Sequence, residues 1–155
     1  MKPLASNVPI PDSVLPRPKR PWSRAEYIFW KIVSHWYLAT RSTLLALHLI
    51  HHHGRQGYLL GKLRNGRTLP GFLSHLEAQG FGNHFIAWMD DGQIVSMRKL
   101  RGFNRQYHLR IFDDGEIRGH YEYTPESHPL WHLNHVGREE RRAEFSRILS
   151  DWTAP

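Results

Sequence analysis

Cysteine is absent from this 155-residue chain. That excludes disulfides and thiolate metal sites, and it gives no argument for secretion. Long apolar runs are absent as well. The longest, Leu44 to Ile50, is interrupted by His48 and is far too short to span a bilayer. The N-terminal stretch "MKPLASNVPIPDSVLPRPKRPW" has prolines where a signal peptide carries an apolar block. There is no phosphate-cradling glycine loop, nucleophile elbow or zinc-finger spacing, and "GRQGYLLGKL" lacks the Gly-Lys-Ser/Thr ending of a P-loop. These absences point to a cytoplasmic protein with no membrane partner, no cofactor and no assigned catalytic residue.

Acidic residues are scarce in the first half. Residues 1–67 carry eleven Lys and Arg against only Asp12 and Glu26, whereas the remainder carries ten basic and twelve acidic residues. The formal net charge is +7. Positive charge concentrated at one end suits a polyanionic partner, nucleic acid before anionic membrane. Hydrophobic residues make up 40%, enough apolar mass for a core at this length.

Residues 1–21 are proline-rich and aperiodic and read as an extended or disordered basic arm. Residues 22–152 read as one compact domain. Ser23-x-x-Glu26 forms a capping box opening a helix whose Tyr27, Trp30, Val33 and Tyr37 recur at helical spacing. "STLLALHLIHHH" reads as a second helix, ended by Gly54. "QGYLLGKLRN" reads as a short helix with Tyr58, Leu59 and Leu63 inward. Thr68 caps "LPGFLSHLEAQ", where Leu69, Phe72, Leu73 and Leu76 form an apolar stripe and Gly80 supplies the stop. A last amphipathic helix, "GREERRAEFSRILSDW", places Phe145, Ile148, Leu149 and Trp152 on one face.

Between these helices the period changes from 3.6 to 2. "HFIAWM" and "QIVSMRKL" flank Asp90-Asp91-Gly92, and "RQYHLRIF" and "EIRGHYEYT" flank Asp113-Asp114-Gly115, the pattern of two antiparallel hairpins. In the second, a two-residue loop would mix apolar and charged side chains on each face, which a half-buried sheet does not tolerate. A three-residue loop, with Gly115 at φ > 0, pairs Ile111 with Ile117, Leu109 with Gly119 and Tyr107 with Tyr121. The aspartates then serve exposed turns, and the first hairpin takes the same loop. The opposite face aligns Arg110 with Arg118, His108 with His120, and Gln106 with Glu122. It reads as a solvated sheet face on which the two arginines need an intervening carboxylate or phosphate.

Helix, short helix, turn, helix and hairpin follow one another over residues 42–100, carried by "STLLALHLIHHHG", "GYLLGKLRN", "TLPGFLSHLEAQGF" and "HFIAWMDDGQIVSMRKL". This order resembles a winged helix-turn-helix domain. The resemblance implies that the helix at 68–79 enters the major groove of double-stranded DNA, with Ser74, His75 and Gln79 toward base edges. Arg55, Lys62, Arg64, Asn65 and Arg67 would serve the backbone, Arg98 and Lys99 the base of the wing, and Arg110 and Arg118 further phosphates. Residues 104–152, the second hairpin and last helix, would complete the core or a homodimer.

The expected fold is thus α+β: N-terminal helices in a winged-helix-like arrangement, two antiparallel hairpins and a C-terminal amphipathic helix. The expected function is that of a small basic double-stranded DNA-binding protein, a regulator or accessory factor for transcription or replication, rather than an enzyme. Twelve histidines supply an alternative. His51-His52-His53 complements a helix C-terminus. His120, Glu122, His128, His132 and His135 could instead hold a metal that activates water, as in a hydrolase or nuclease, although Pro129 argues for a loop there. A protein–protein adaptor working through the aromatic first helix is a third reading.

Overall fold

Strands β4 (Arg105–Phe112) and β5 (Glu116–Tyr123) form the expected second hairpin. Their register is Ile111↔Ile117, Leu109↔Gly119, Tyr107↔Tyr121, Arg110↔Arg118, His108↔His120 and Gln106↔Glu122, residue for residue that of the three-residue loop. Gly115 has φ 81° and donates its N–H to the Phe112 carbonyl at 3.0 Å, while Asp114 Oδ1 accepts from the Glu116 N–H at 3.0 Å. Glycine's lack of Cβ is what permits that φ.

In this computed structural model the described residues are 54–83, 90 and 92–154, together with 28, 36, 43, 44 and 46–49. The arm at 1–21, most of the two helices expected over 23–53 with the His51–His53 run, the first strand of the first hairpin at 84–89, and Asp91 lie outside the described residues.

Around this hairpin stands a six-stranded sheet in the order β2-β3-β4-β5-β1-β6, with every neighbouring pair antiparallel. The other strands are β1 (Tyr58–Leu63), β2 (Gly82–Asn83), β3 (Gln93–Arg101) and β6 (Thr153–Ala154). Helix α1 (Leu69–Ala78) follows β1, and α2 (Pro129–Leu133) and α3 (Arg142–Leu149) follow β5. The fold is therefore α+β. Among the described residues, no helix is long and apolar enough to cross a membrane.

Helix α1 begins where expected. The Thr68 side chain caps it by accepting from the Gly71 N–H, Pro70 sits in the first turn, and Gly80 follows at φ 90°. Phe72, Leu73 and Leu76 are buried against Leu63, Val95, Met97, Leu109, Ile111 and Ile117, and α3 adds Phe145 and Leu149 to the same core. Both helices thus cover the apolar face of the sheet.

Two local expectations are overturned. "QGYLLGKLRN" is not a helix: residues 58–63 are β1, paired with β5 on one side and β6 on the other. Short apolar runs fit either period, and here partner strands on both edges supply the hydrogen bonds that decide it. Pro129 does not hold its segment in a loop. It is the first residue of α2, where proline's missing N–H costs nothing and its fixed φ suits the helix.

Candidate functional site

The polar face of the sheet was expected to be solvated, and it is sealed instead. Gln106, His108, Arg110, His120 and Glu122 are all at least 93% buried, with Ser96 beside them on β3. The cover comes from parts of the chain distant in sequence. Residues 54–57 and Asp90 lie over one end, and the segment from Thr124 to Arg138 lies over the other. Alternating apolar and polar residues had built two buried faces, one a hydrocarbon core and one a layer of titratable groups.

Glu122 is the hub of that layer. Its Oε1 accepts from Gln106 Nε2 at 3.1 Å and stands 3.0 Å from His108 Nδ1. Its Oε2 lies 3.0 Å from His120 Nε2, 3.5 Å from His132 Nδ1 and 3.5 Å from Arg138 Nη2. His108 Nε2 is 2.8 Å from the Ser96 hydroxyl. A carboxylate only accepts, so His108 donates from Nδ1 and its Nε2 lone pair faces Ser96. His120 has no such settlement. Neither of its ring nitrogens, nor Glu122 Oε2, makes a hydrogen bond of good geometry among the described residues, though all three are buried. Buried polar atoms left in that state cost free energy, which a ligand bound among them would recover.

Charge states follow from burial. Burial, helped by the positive charge of Arg110, pushes the His108 imidazole down to about 3. Burial likewise lowers His120 to about 4, with Arg138 and Arg110 adding to it. Burial alone would raise the Glu122 carboxyl, but the polar groups of His120, His132 and His108 outweigh it and hold the acid well below its usual range. At neutral pH the layer therefore offers two neutral imidazoles beside one carboxylate, the charge states that suit metal ligands.

One donor atom each from His108, His120 and Glu122 lies within 4.8 Å of the others. Two imidazoles and a carboxylate are a donor set that catalytic zinc takes, leaving a position for water. The set differs from the one read in the sequence. His120 and Glu122 belong to it, and His132 stands at its rim. His128 is turned away, with Nδ1 3.0 Å from Ser127 Oγ and its ring stacked on Trp131 at 4.7 Å. His135 accepts from Arg138 Nη2 at 2.6 Å and so adjoins the layer beside that arginine. His108, which sequence reasoning placed on the same face but left out of the metal set, takes the place of His128. The cross-strand pairing of His108 with His120 was the signal for it.

The residues expected at nucleic acid are scattered. Lys62, Arg64, Asn65, Arg67, Ser74 and Gln79 are exposed. Arg55 is held by Asp114 and Glu116 at 2.7 Å each and lies over the Phe112 ring. Arg98 pairs with Glu126 at 2.7 Å, and Lys99 sits beside the Phe81 ring. His75 does not face outward as a base reader would. Its Nε2 meets the Ile148 carbonyl at 2.7 Å and its ring stacks on Trp152.

The two arginines of the polar face were expected to need one intervening anion, and each has its own carboxylate instead. Arg110 Nη1 is 3.4 Å from Asp90 Oδ2 and 3.2 Å from Gln56 Oε1, and Arg118 pairs with Glu116 and with the carbonyls of Arg55 and Gly57. The carboxylate that serves Arg110 was misread, however. Asp90 is 4% exposed and is no turn ornament, because its Oδ2 also accepts the Gln56 N–H at 2.8 Å.

No known family, curated protein or solved structure matches the chain. Its chemistry is read from the geometry alone.

Proposed function

We propose that this protein is a metal-dependent hydrolase of phosphodiesters, with His108, His120 and Glu122 as the protein ligands. The observation that carries the reading is the buried triad of donors within 4.8 Å, in which both nitrogens of His120 and one oxygen of Glu122 make no hydrogen bond of good geometry among the described residues. A divalent cation held there would lower the pKa of a bound water and polarise a phosphoryl oxygen. Metal at Glu122 Oε2 would take the oxygen that now faces Arg138, whose guanidinium, still held by His135, would stand beside an anionic substrate. His132 and Arg138, whose side chains are 18% and 14% exposed, stand where the layer meets solvent. The basic N-terminal half favours a nucleic acid as the source of the phosphodiester.

The test is cleavage of labelled oligonucleotides, and of a small aryl phosphodiester, in the presence of Mn²⁺ or Zn²⁺. Cleavage that EDTA stops and Glu122→Gln abolishes supports the reading. No cleavage with any divalent metal, or undiminished cleavage by Glu122→Gln, contradicts it.

A second reading is double-stranded DNA binding by a homodimer in a winged-helix-like arrangement. What favours it is the exposed row Lys62, Arg64, Asn65 and Arg67, which leads directly into α1. Strands follow α1 as the resemblance implies, whereas β1 stands where it implies a helix. Retardation of duplex DNA that weakens steeply with salt, and falls with Arg64→Ala and Arg67→Ala, supports this reading. Equal affinity in both variants contradicts it.

A further inference from the structure

At one end of the β4–β5 hairpin, aromatic and cationic side chains form a continuous stack. Arg105 lays its guanidinium 3.6 Å from the Tyr123 ring centroid. Tyr123 contacts both His128 (4.6 Å) and Trp131 (5.1 Å), and His128 and Trp131 stack at 4.7 Å with 22° between their planes. Trp131, at the open end, is 46% exposed. Phe103, 72% exposed, lies in the β3–β4 loop. That loop is tied to the turn before α2, because Thr124 donates from Oγ1 to the Phe103 carbonyl and from its N–H to the Asn104 carbonyl. Arg101 stands opposite Arg105 where the two strands enter the loop.

Exposed indole and phenyl rings beside arginines are poorly matched to water but well matched to nucleobases and phosphates. We infer that this end of the sheet is a base-stacking platform for single-stranded nucleic acid. The inference rests on the phosphodiester reading of the centre and names its substrate class. Bases within a duplex already stack on one another and cannot lie on a side chain, whereas the bases of a single strand are free to do so. The charge is complementary: Arg105 supplies a cation within the stack, with Glu139 3.8 Å from it, and Arg101 follows on the neighbouring strand. The platform is also joined to the centre. His132, the residue after Trp131, reaches Glu122 from the same short helix, so a strand whose base lies on Trp131 brings its backbone past His132 and Arg138.

The experiment is fluorescence anisotropy of a labelled oligothymidylate in EDTA, where binding is read without cleavage. Unlabelled single strand and a duplex of equal length serve as competitors. Binding is expected with the wild type and weakens roughly five- to a hundredfold in Trp131→Ala, the loss of one base stack. Trp131→Phe restores most of it. Phe103→Ser, in an exposed loop away from the core, weakens it independently should Trp131→Ala fold poorly. Failure to bind, full affinity in both Trp131→Ala and Phe103→Ser, or a duplex that competes as well as the single strand overturns the inference. The two ideas fail separately. Metal-dependent hydrolysis of an aryl phosphodiester without oligonucleotide binding removes the platform and keeps the centre. Oligonucleotide binding without any hydrolysis keeps the platform and removes the hydrolase.

Discussion

His120 Nε2 lies 3.0 Å from Glu122 Oε2, two residues along one strand, and both side chains are about 1% exposed. Alternate residues of a strand share a face. A surface pair of this kind would be a weak ion pair, but here the ring is neutral, and its nitrogens make no hydrogen bond of good geometry among the described residues. From that relationship follow expectations about metal, pH and stability.

Acid sensitivity of the metal-free protein is the first. His108 and His120 have folded values of about 3 and about 4, below the ordinary 6.5. The unfolded chain therefore binds more protons than the folded chain between those values and 6.5. The stability these neutral rings contribute is complete above about pH 6.5 and is lost as the pH falls toward 4. Denaturant midpoints measured from pH 7 to 4 in EDTA should fall steadily, and His120→Gln should flatten the slope. A midpoint independent of pH over that range would contradict the neutral assignment.

Asp90 and Asp113 begin identical Asp-Asp-Gly triplets but differ in burial. Asp90→Asn removes a buried carboxylate from Arg110 and should cost about 2–3 kcal/mol, the worth of a charged hydrogen bond. Asp113→Asn, on a partly exposed pair 3.7 Å from Arg55, should cost under about 0.5 kcal/mol. Urea melts of the two variants give the comparison, and equal costs would contradict it.

Gly115 at φ 81° sets the β4–β5 register. Gly115→Ala forces an L side chain into the left-handed region, a strain of about 1–2 kcal/mol, while Gly115→Asn should recover part of that loss. Thermal melts should rank glycine, asparagine and alanine in that order of stability.

His75→Ala separates a docked histidine from a base reader. Its bond to the Ile148 carbonyl and its stack on Trp152 should be worth about 1 kcal/mol of stability. Oligonucleotide affinity should not change, and a selective loss of affinity at unchanged stability would restore the base-reading role.

Much of this architecture was legible in the sequence because its causes are local. Thr68 and Gly80 bound α1 by capping and by φ, and the period-2 pattern about Gly115 leaves one register for β4 and β5. The face of the last helix that carries Phe145 and Leu149 is buried as its spacing implies. Strand β1 was not legible, since Tyr58, Leu59 and Leu63 suit a helix and only pairing with β5 and β6 makes them a strand. The site was half legible. His108, His120 and Glu122 were placed on one face by register, but the cover that seals them comes from Gln56, Asp90, His132 and Arg138, which no local pattern connects to that face.

The most direct test of the metal centre is the metal content of purified protein, before and after dialysis against Zn²⁺ or Co²⁺. It should be compared with His120→Ala and Glu122→Gln variants shown by circular dichroism to be folded. Stoichiometric uptake by the wild type, lost in both variants, is the expected result, with the Co²⁺ form showing the visible absorption of a nitrogen- and oxygen-ligated site. A wild type that takes up no metal, or variants that take up as much as it does, would contradict the assignment of His108, His120 and Glu122 as ligands.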